Sequence, residues 1–288
     1  MKTAIVTDST AYLSEQQAKE NNITVIPIPI TLDGVTYEEG KDITTAEFLE
    51  KMKNSKNFPS TSQPPLGQII KLYEDLGNQG YDNVISIHLA GTISGLVDNL
   101  RAAAKSITNT HVYVFDSHYT VALMGTMALK AAAMARQGIA PEEIIGVLTR
   151  LRETADCYFV VDDLKNLVKG GRLSNAAGFI GGLLQIKPLL TFNKEDDIVA
   201  IEKIRSLKRA YARIEQNFDE KVNTFDYPIR CYVISNDPQT AIDFRDRIKA
   251  KYPNLPYEVG YFGPVISTHL GAHALGFGWM EDYQKIDM

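Results

Sequence analysis

Val84-Ile85-Ser86-Ile87-His88-Leu89, continued by Ala90-Gly91-Thr92-Ile93-Ser94-Gly95, is the stretch on which the fold turns. The first six residues are a strand-length, mostly apolar run. The loop that ends it is built of glycine and hydroxyl residues, and a helical pattern follows over Ser94–Lys105. A strand passing through a short loop into a helix is the repeating unit of a parallel sheet. The unit recurs on both sides. Strand-like runs stand at Thr3–Thr7, Thr24–Ile30 and His111–Phe115. Helical patterns fill the gaps: one capped by Ser14 and running to Glu20, one opened by the capping box of Thr44 and Glu47, and others at Leu66–Leu76 and Val121–Arg136. The expectation is an α/β fold whose N-terminal part is a mostly parallel sheet with helices on both faces.

Beyond this region the pattern changes. Pro188–Phe192 and Ile198–Arg205, separated by Asn193–Asp197, read as an antiparallel hairpin. A helix at Leu207–Phe218, a strand at Arg230–Ser235, a helix at Pro238–Lys251 and a strand at Tyr257–Phe262 complete a second α/β unit with a mixed or antiparallel sheet. With 288 residues the chain exceeds the usual size of one core. Two domains are therefore expected, 1–160 and 161–288, with Tyr158–Val161 near the crossing.

Composition narrows the function classes. Apolar residues make up 44% and charged residues 23%, as in an ordinary globular protein, and the net charge is −5 with Lys and Arg scattered. No basic footprint for nucleic acid is present, and no apolar run is long enough for a signal peptide or a membrane helix. The two cysteines, Cys157 and Cys231, read as reduced core thiols of a cytoplasmic protein. His88, inside an apolar strand, reads as a hydrogen-bonded core histidine.

In an open parallel sheet, ligands bind beyond the carboxyl ends of the strands. Here those ends carry Thr7-Asp8-Ser9-Thr10, Ala90 to Gly95 and Asp116-Ser117-His118. The proline-stiffened loop Pro59-Ser60-Thr61-Ser62-Gln63-Pro64-Pro65 adds further hydroxyls. Hydroxyls and free backbone N–H groups make a carboxylate cradle. Ser94, where a helix is expected to begin, is its natural centre, although a plain capping role explains Ser94 as well. Nucleotide chemistry is unsupported, since neither a phosphate-binding loop nor a dinucleotide fingerprint follows the first strand. A serine hydrolase using Ser94 and His269 is the rival. It lacks the G-x-S-x-G elbow, because Gly91 stands three residues before Ser94. His269 and His273 have i, i+4 spacing but no accompanying glutamate, so no metal site is expected, and His269 after Thr268 at a helix start suits an anion contact. In Lys169-Gly170-Gly171-Arg172-Leu173-Ser174 two glycines make a tight turn that presents Arg172 to a phosphate or carboxylate, with Ser174 capping the next helix.

These residues resemble the DegV family, whose members include the fatty-acid-binding subunits of bacterial fatty acid kinase. The likeness rests on Val6-Thr7-Asp8-Ser9-Thr10-Ala11, Thr61-Ser62-Gln63-Pro64, Ile85 to Leu89 leading to Ser94-Gly95, Val114-Phe115-Asp116-Ser117, Lys169 to Ser174, Ile186-Lys187-Pro188-Leu189-Leu190 and Gly263-Pro264-Val265-Ile266-Ser267-Thr268-His269. The chain departs from the family pattern at Ala90, Gly91, Leu96, Ala272 and His273. The resemblance implies a long-chain fatty acid between the two domains, its carboxylate held by Thr61, Ser94 and His269 and supported by Ser62, Gly95 and Thr268. It implies that Arg172 serves docking with the kinase catalytic subunit or the phosphoryl transfer itself. ATP would belong to that subunit, so this chain is expected to be a non-catalytic carrier without a cofactor; a monomer is the default expectation. Met124, Met127, Phe179, Ile180 and Leu183 are candidate walls for the acyl chain, although core packing explains them equally well.

Overall fold

The computed structural model describes residues 1–162, 164–178 and 186–286. Along the N-terminal part run β1 (Thr3–Asp8), α1 (Glu15–Glu20), β2 (Ile23–Ile26), β3 (Pro29–Leu32), β4 (Val35–Glu38), α2 (Thr45–Asn54), β5 (Ser60–Thr61), α3 (Leu66–Asn78), β6 (Asn83–His88), α4 (Leu96–Ala104), β7 (His111–Asp116), α5 (Val121–Arg136) and α6 (Pro141–Thr154). The remainder forms β8 (Asp156–Val161), α7 (Lys165–Gly170), β9 (Lys187–Phe192), β10 (Ile198–Ile204), α8 (Leu207–Val222), β11 (Ile229–Ser235), α9 (Pro238–Lys251), β12 (Tyr257–Tyr261), α10 (Pro264–Leu270) and β13 (Ala274–Glu281).

The first sheet is parallel throughout, in the order β2-β1-β6-β7. Its central strands β1 and β6 are almost wholly buried, as expected of apolar runs covered on both faces. Both predicted caps form: Ser14 with Gln17 and Thr44 with Glu47 each make a reciprocal capping box. The second sheet is mixed, in the order β10-β9-β8-β13-β11-β12, with only β11 and β12 parallel. The hairpin of β9 and β10 forms as the sequence predicts.

Three features depart from the sequence reading. Thr24–Ile30 is not one strand. Its first half pairs with β1, and after Pro27 the chain turns into β3, which joins β4 and β5 in a separate three-stranded antiparallel sheet. Proline supplies no N–H to a ladder, so the run changes sheets there. Second, β4, β5, α6, α7 and β13 have no counterpart in the sequence reading. In β13 alternation is blurred, because Leu275, Phe277 and Trp279 pack into a core with α8 and α9 while Gly276 and Gly278 stand on the other face. Third, the helix expected from Ser94 begins at Leu96.

Two apolar cores result. The larger unites the parallel sheet, α5, α6 and the inner faces of β8 and α10, and the smaller lies between the mixed sheet and α8 and α9. Among the described residues no helix is long and apolar enough to cross a membrane.

Candidate functional site

Between the carboxyl ends of the parallel sheet and the inner face of the mixed sheet lies a cavity of about 350 Å³. Most of its wall is apolar, with Leu89, Leu123, Phe159, Phe192, Phe262 and Val265 contributing. The polar groups in the remaining wall spend their bonds elsewhere. The Tyr119 hydroxyl donates to the Ala155 carbonyl at 2.6 Å, and Thr120 Oγ1 donates to Thr10 Oγ1 at 2.9 Å. What faces the space over most of its length is therefore hydrocarbon, as in sites for apolar ligands.

One end differs. Thr61, on the short edge strand β5, shares a 2.9 Å hydrogen bond with His269 Nε2 at the last turn of α10. Ser94 Oγ accepts from Leu96 N at 3.3 Å, which leaves its own O–H free to donate. The Arg172 guanidinium reaches into the cavity wall rather than out to solvent. Its Nε donates to the Ile93 carbonyl at 3.1 Å and its Nη1 to the Gly170 carbonyl, and no carboxylate among the described residues pairs with it. Thr61, Ser62, Ser94, Gly95, Arg172 and His269 thus gather on one cavity, together with Gln63, which the sequence reading passed over. Gln63 Oε1 accepts from Asn99 Nδ2 at 2.6 Å, and this holds the Pro59–Pro65 loop against α4.

Thr268 is the exception among the expected residues. It is buried, its hydroxyl donates back to the Pro264 carbonyl at 3.0 Å, and it does not line the cavity. The placement follows from helical periodicity, because α10 spans Pro264–Leu270 and its inner face carries Val265, Ile266, His269 and Leu270. His269 accordingly stands at the end of this helix, not at its start. His273 lies past Gly271, whose φ of 83° ends the helix, and it is exposed beside a different groove. The two histidines do not share a helix face. Met124 and Met127 are fully buried in the core but do not line the cavity, and Phe179, Ile180 and Leu183 lie outside the described residues.

The electrostatics of the polar end follow from burial. Burial, and secondly the positive charge of Arg172, push the His269 imidazole down to about 4, so it is neutral at pH 7. Its Nδ1 is buried and has no hydrogen-bond partner among the described residues. An orphaned buried nitrogen costs free energy unless something bonds it. The two glycines before Arg172 have separate reasons. Gly171 caps α7 in the left-handed region at φ 71°. A Cβ on Gly170 would sit 2.6 Å from His269 Nδ1, so glycine alone lets α7 close over the imidazole. Among the described residues the Ser174 side chain makes no capping bond; its backbone N–H donates to the Ile198 carbonyl at 3.1 Å, tying this segment to β10.

The hairpin β9–β10 covers the cavity with Phe192 and Ile198. Its tip is fastened to the parallel sheet's loops by His118 Nδ1 with Asp196 Oδ2 at 2.7 Å, and by Thr92 Oγ1 to the Asp196 carbonyl at 2.5 Å. Ser94 and His269 are not hydrogen-bonded to each other, since Nε2 is taken by Thr61. A nucleophile–base pair is therefore not formed here. Both cysteines are free thiols, and burial drives each well up from its ordinary value.

Comparison with known proteins agrees with this architecture. A model of the DegV family, described as uncharacterised proteins of that family, matches residues 2–282. A DegV domain-containing protein of Listeria innocua is 43% identical over 279 residues, covering 96% of this chain and 98% of that protein. The crystal structure of DegV from Bacillus subtilis, described as a fatty acid binding protein, superposes with a TM-score of 0.89 at 42% identity, over 98% of this chain and all of that one (100%). A fatty acid binding DegV family protein from Streptococcus agalactiae gives a TM-score of 0.90 at 35% identity, over 98% and 99% of the two chains.

Proposed function

The chain belongs to the DegV family, and from that premise we propose that it is a carrier for one long-chain fatty acid. The acyl chain lies in the cavity, and the carboxylate rests on Thr61, Ser94 and His269. The observation that carries this reading is the cavity's asymmetry: a hydrocarbon wall with a single polar end, where Thr61, Ser94, Arg172 and His269 gather. The fatty acid binding described for the relatives from Bacillus subtilis and Streptococcus agalactiae supports it.

The energetics suit such a ligand. Each buried methylene is worth about 0.8 kcal/mol, so a chain of roughly sixteen carbons supplies ample gross affinity. The charged head is the costly part, since a carboxylate leaving water must be hydrogen-bonded. With the Thr61–His269 hydrogen bond kept, one donor of that pair and the Ser94 hydroxyl can each bond it, with the Arg172 charge close by and held on backbone carbonyls. A carboxylate bound by neutral donors stays exposed in chemistry if not in space. We therefore read the chain as the lipid-binding subunit of a fatty acid kinase system, a cytoplasmic monomer that presents the acid to a catalytic subunit for acyl phosphate formation in phospholipid synthesis. Arg172 would serve the docking or the transfer, and ATP would be bound by the partner.

Denaturing extraction of the purified protein, with mass spectrometry of what comes out, tests the carrier role. Recovery of stoichiometric long-chain fatty acid is expected. Recovery of none, with no binding of added fatty acid, overturns the reading. Arg172→Ala tests the finer role: acid binding is retained and kinase-coupled acyl phosphate formation falls, whereas unchanged coupling would make Arg172 part of the wall alone.

A further inference from the structure

The helix that carries His269 does not cap itself. Gly263 precedes it without a side chain to bond the first turn, and seven residues are too few for a helix to hold its own course. The missing bonds come from the N-terminal part of the chain. Oε1 of Glu39, the residue after β4, accepts from Val265 N at 2.7 Å and from the Tyr12 hydroxyl at 3.1 Å. Oε2 accepts from Ser9 Oγ at 2.6 Å. The Tyr12 hydroxyl accepts in turn from Ile266 N at 3.3 Å, and Ser9 Oγ from Ile28 N at 3.1 Å. Ile28, Val265 and Ile266 all line the cavity. A Cβ on Gly263 would overlap the Tyr12 ring and come within 3.0 Å of Glu39 Oε1, so the close approach needs glycine.

We propose that Glu39 is a positioning residue for the carboxylate cradle: through the first turn of α10 it holds His269 at the cavity, and its protonation sets how tightly the cavity retains its acid. The inference deepens the fatty-acid reading above and rests on it. Glu39 is 4% exposed, and no Lys, Arg or His among the described residues pairs with it. The groups that face it are Asp8 from β1, Tyr12, and Tyr261 from β12. The groove on its outer side carries Glu15, Lys41, Asp42 and Glu47, with Lys41 paired to Glu38. Burial, and to a lesser degree the Asp8 charge, push its carboxyl up to about 7, against the opposing pull of its three donors. The folded state thus holds this proton more tightly than an unfolded chain does. The stabilisation linked to this proton is fully present below the ordinary carboxyl range and is lost as pH rises through about 7, where opening α10 lets the ionised carboxylate reach water. When protonated, Oε2–H can donate to Ser9 Oγ while Oε1 keeps its two donors. When ionised, a charge sits buried beside Asp8 with no cation.

The test compares wild type with Glu39→Gln, which is neutral at every pH. Two readouts are used: affinity for the fluorescent fatty acid cis-parinaric acid between pH 6 and 8.5, and amide exchange of residues 263–271 in the ligand-free protein, corrected for intrinsic rates. The ratio of wild-type to Glu39→Gln affinity should fall on the order of fivefold across this range, the low end for linked sites. Protection of α10 should fall in the wild type alone. A constant ratio, or equal protection in both proteins, overturns the proposal. If neither protein binds the probe at any pH, the fatty-acid reading fails, and the exchange arm still decides whether Glu39 clasps α10. Should Glu39→Gln misfold, Tyr12→Phe serves instead. It should deprotect Ile266 and weaken binding at every pH, and wild-type behaviour would count against the clasp.

Discussion

Two polar clusters in this molecule are made of the same kinds of residue and do opposite things. In the first sheet, Tyr73 OH bonds Ser86 Oγ at 2.7 Å, Ser86 Oγ bonds His88 Nε2 at 2.7 Å, and His88 Nδ1 bonds Asp8 Oδ2 at 3.0 Å. Asp8 also accepts from Thr10 N, Thr10 Oγ1 and Leu89 N. The order serine–histidine–aspartate is that of a hydrolase triad, yet all three residues, and Tyr73, are 0% exposed and none of them lines the cavity. At the cavity, Thr61, Ser94 and His269 have no carboxylate to orient the imidazole, and Nδ1 is left over. The first cluster is finished and has nowhere to put a substrate. The second is unfinished and has room for one. The site is recognised by what its residues still lack, not by which residues they are.

The contrast can be broken by removing one member from each cluster. Asp8→Ala should have the largest effect of all, because it strands His88 and two backbone N–H groups in the dry interior. A loss of about 3–5 kcal/mol in urea unfolding is expected, and a loss under 1 kcal/mol would mean that water replaces the carboxylate. His269→Ala should do the reverse, weakening fatty-acid affinity by roughly thirtyfold, about 2 kcal/mol, with little change in unfolding at pH 7. The same substitution has a pH signature. His269 titrates at about 4 in the folded protein, below its ordinary value of 6.5, so the folded state binds its proton less well than the unfolded chain. Wild-type stability should therefore be intact above pH 6.5 and decline as pH falls towards 4. His269→Ala should remove that part of the decline in acid-unfolding curves.

Gly170→Ala sharpens the comparison without touching a polar group. The new methyl must push the imidazole, and a fall in affinity of about tenfold, or 1.4 kcal/mol, is expected by fluorescence titration. Unchanged affinity would mean that α7 yields instead of His269. The smallest effect is expected at the cover. His118→Ala releases the hairpin tip from Asp196, a half-exposed pair worth about 1 kcal/mol or less. Ligand dissociation should quicken about threefold in a stopped-flow chase, with equilibrium stability almost unmoved.

Much of the first cluster's frame was legible in the sequence, since apolar strands, capping boxes and a histidine inside an apolar run are local signals. His88 could be read as a satisfied core residue for that reason. The gathering of Thr61, Ser94, Arg172 and His269 was legible only through the family resemblance, because those residues are brought together by contacts from β5, α7 and α10 that no local pattern encodes. Thr268 turns away from the cavity because α10 starts at Pro264 rather than beside Thr268, so helical periodicity brings His269 and not Thr268 to the wall. Arg172 was expected to project from its turn; the free carbonyls of Ile93 and Gly170 draw it inward instead. Glu39 gave no signal at all. An acidic residue after a short strand reads as surface until the tertiary fold buries it against the first turn of α10.

On this reading the polar end of the cavity recognises a carboxylate. The direct measurement is a competition between hexadecanoic acid and hexadecanol, ligands of equal length that differ in the head group, in wild type and in His269→Ala. Wild type should prefer the acid by about tenfold or more, and the preference should collapse in the variant. Equal affinity for the two ligands, or an acid preference that survives the loss of His269, would contradict this reading.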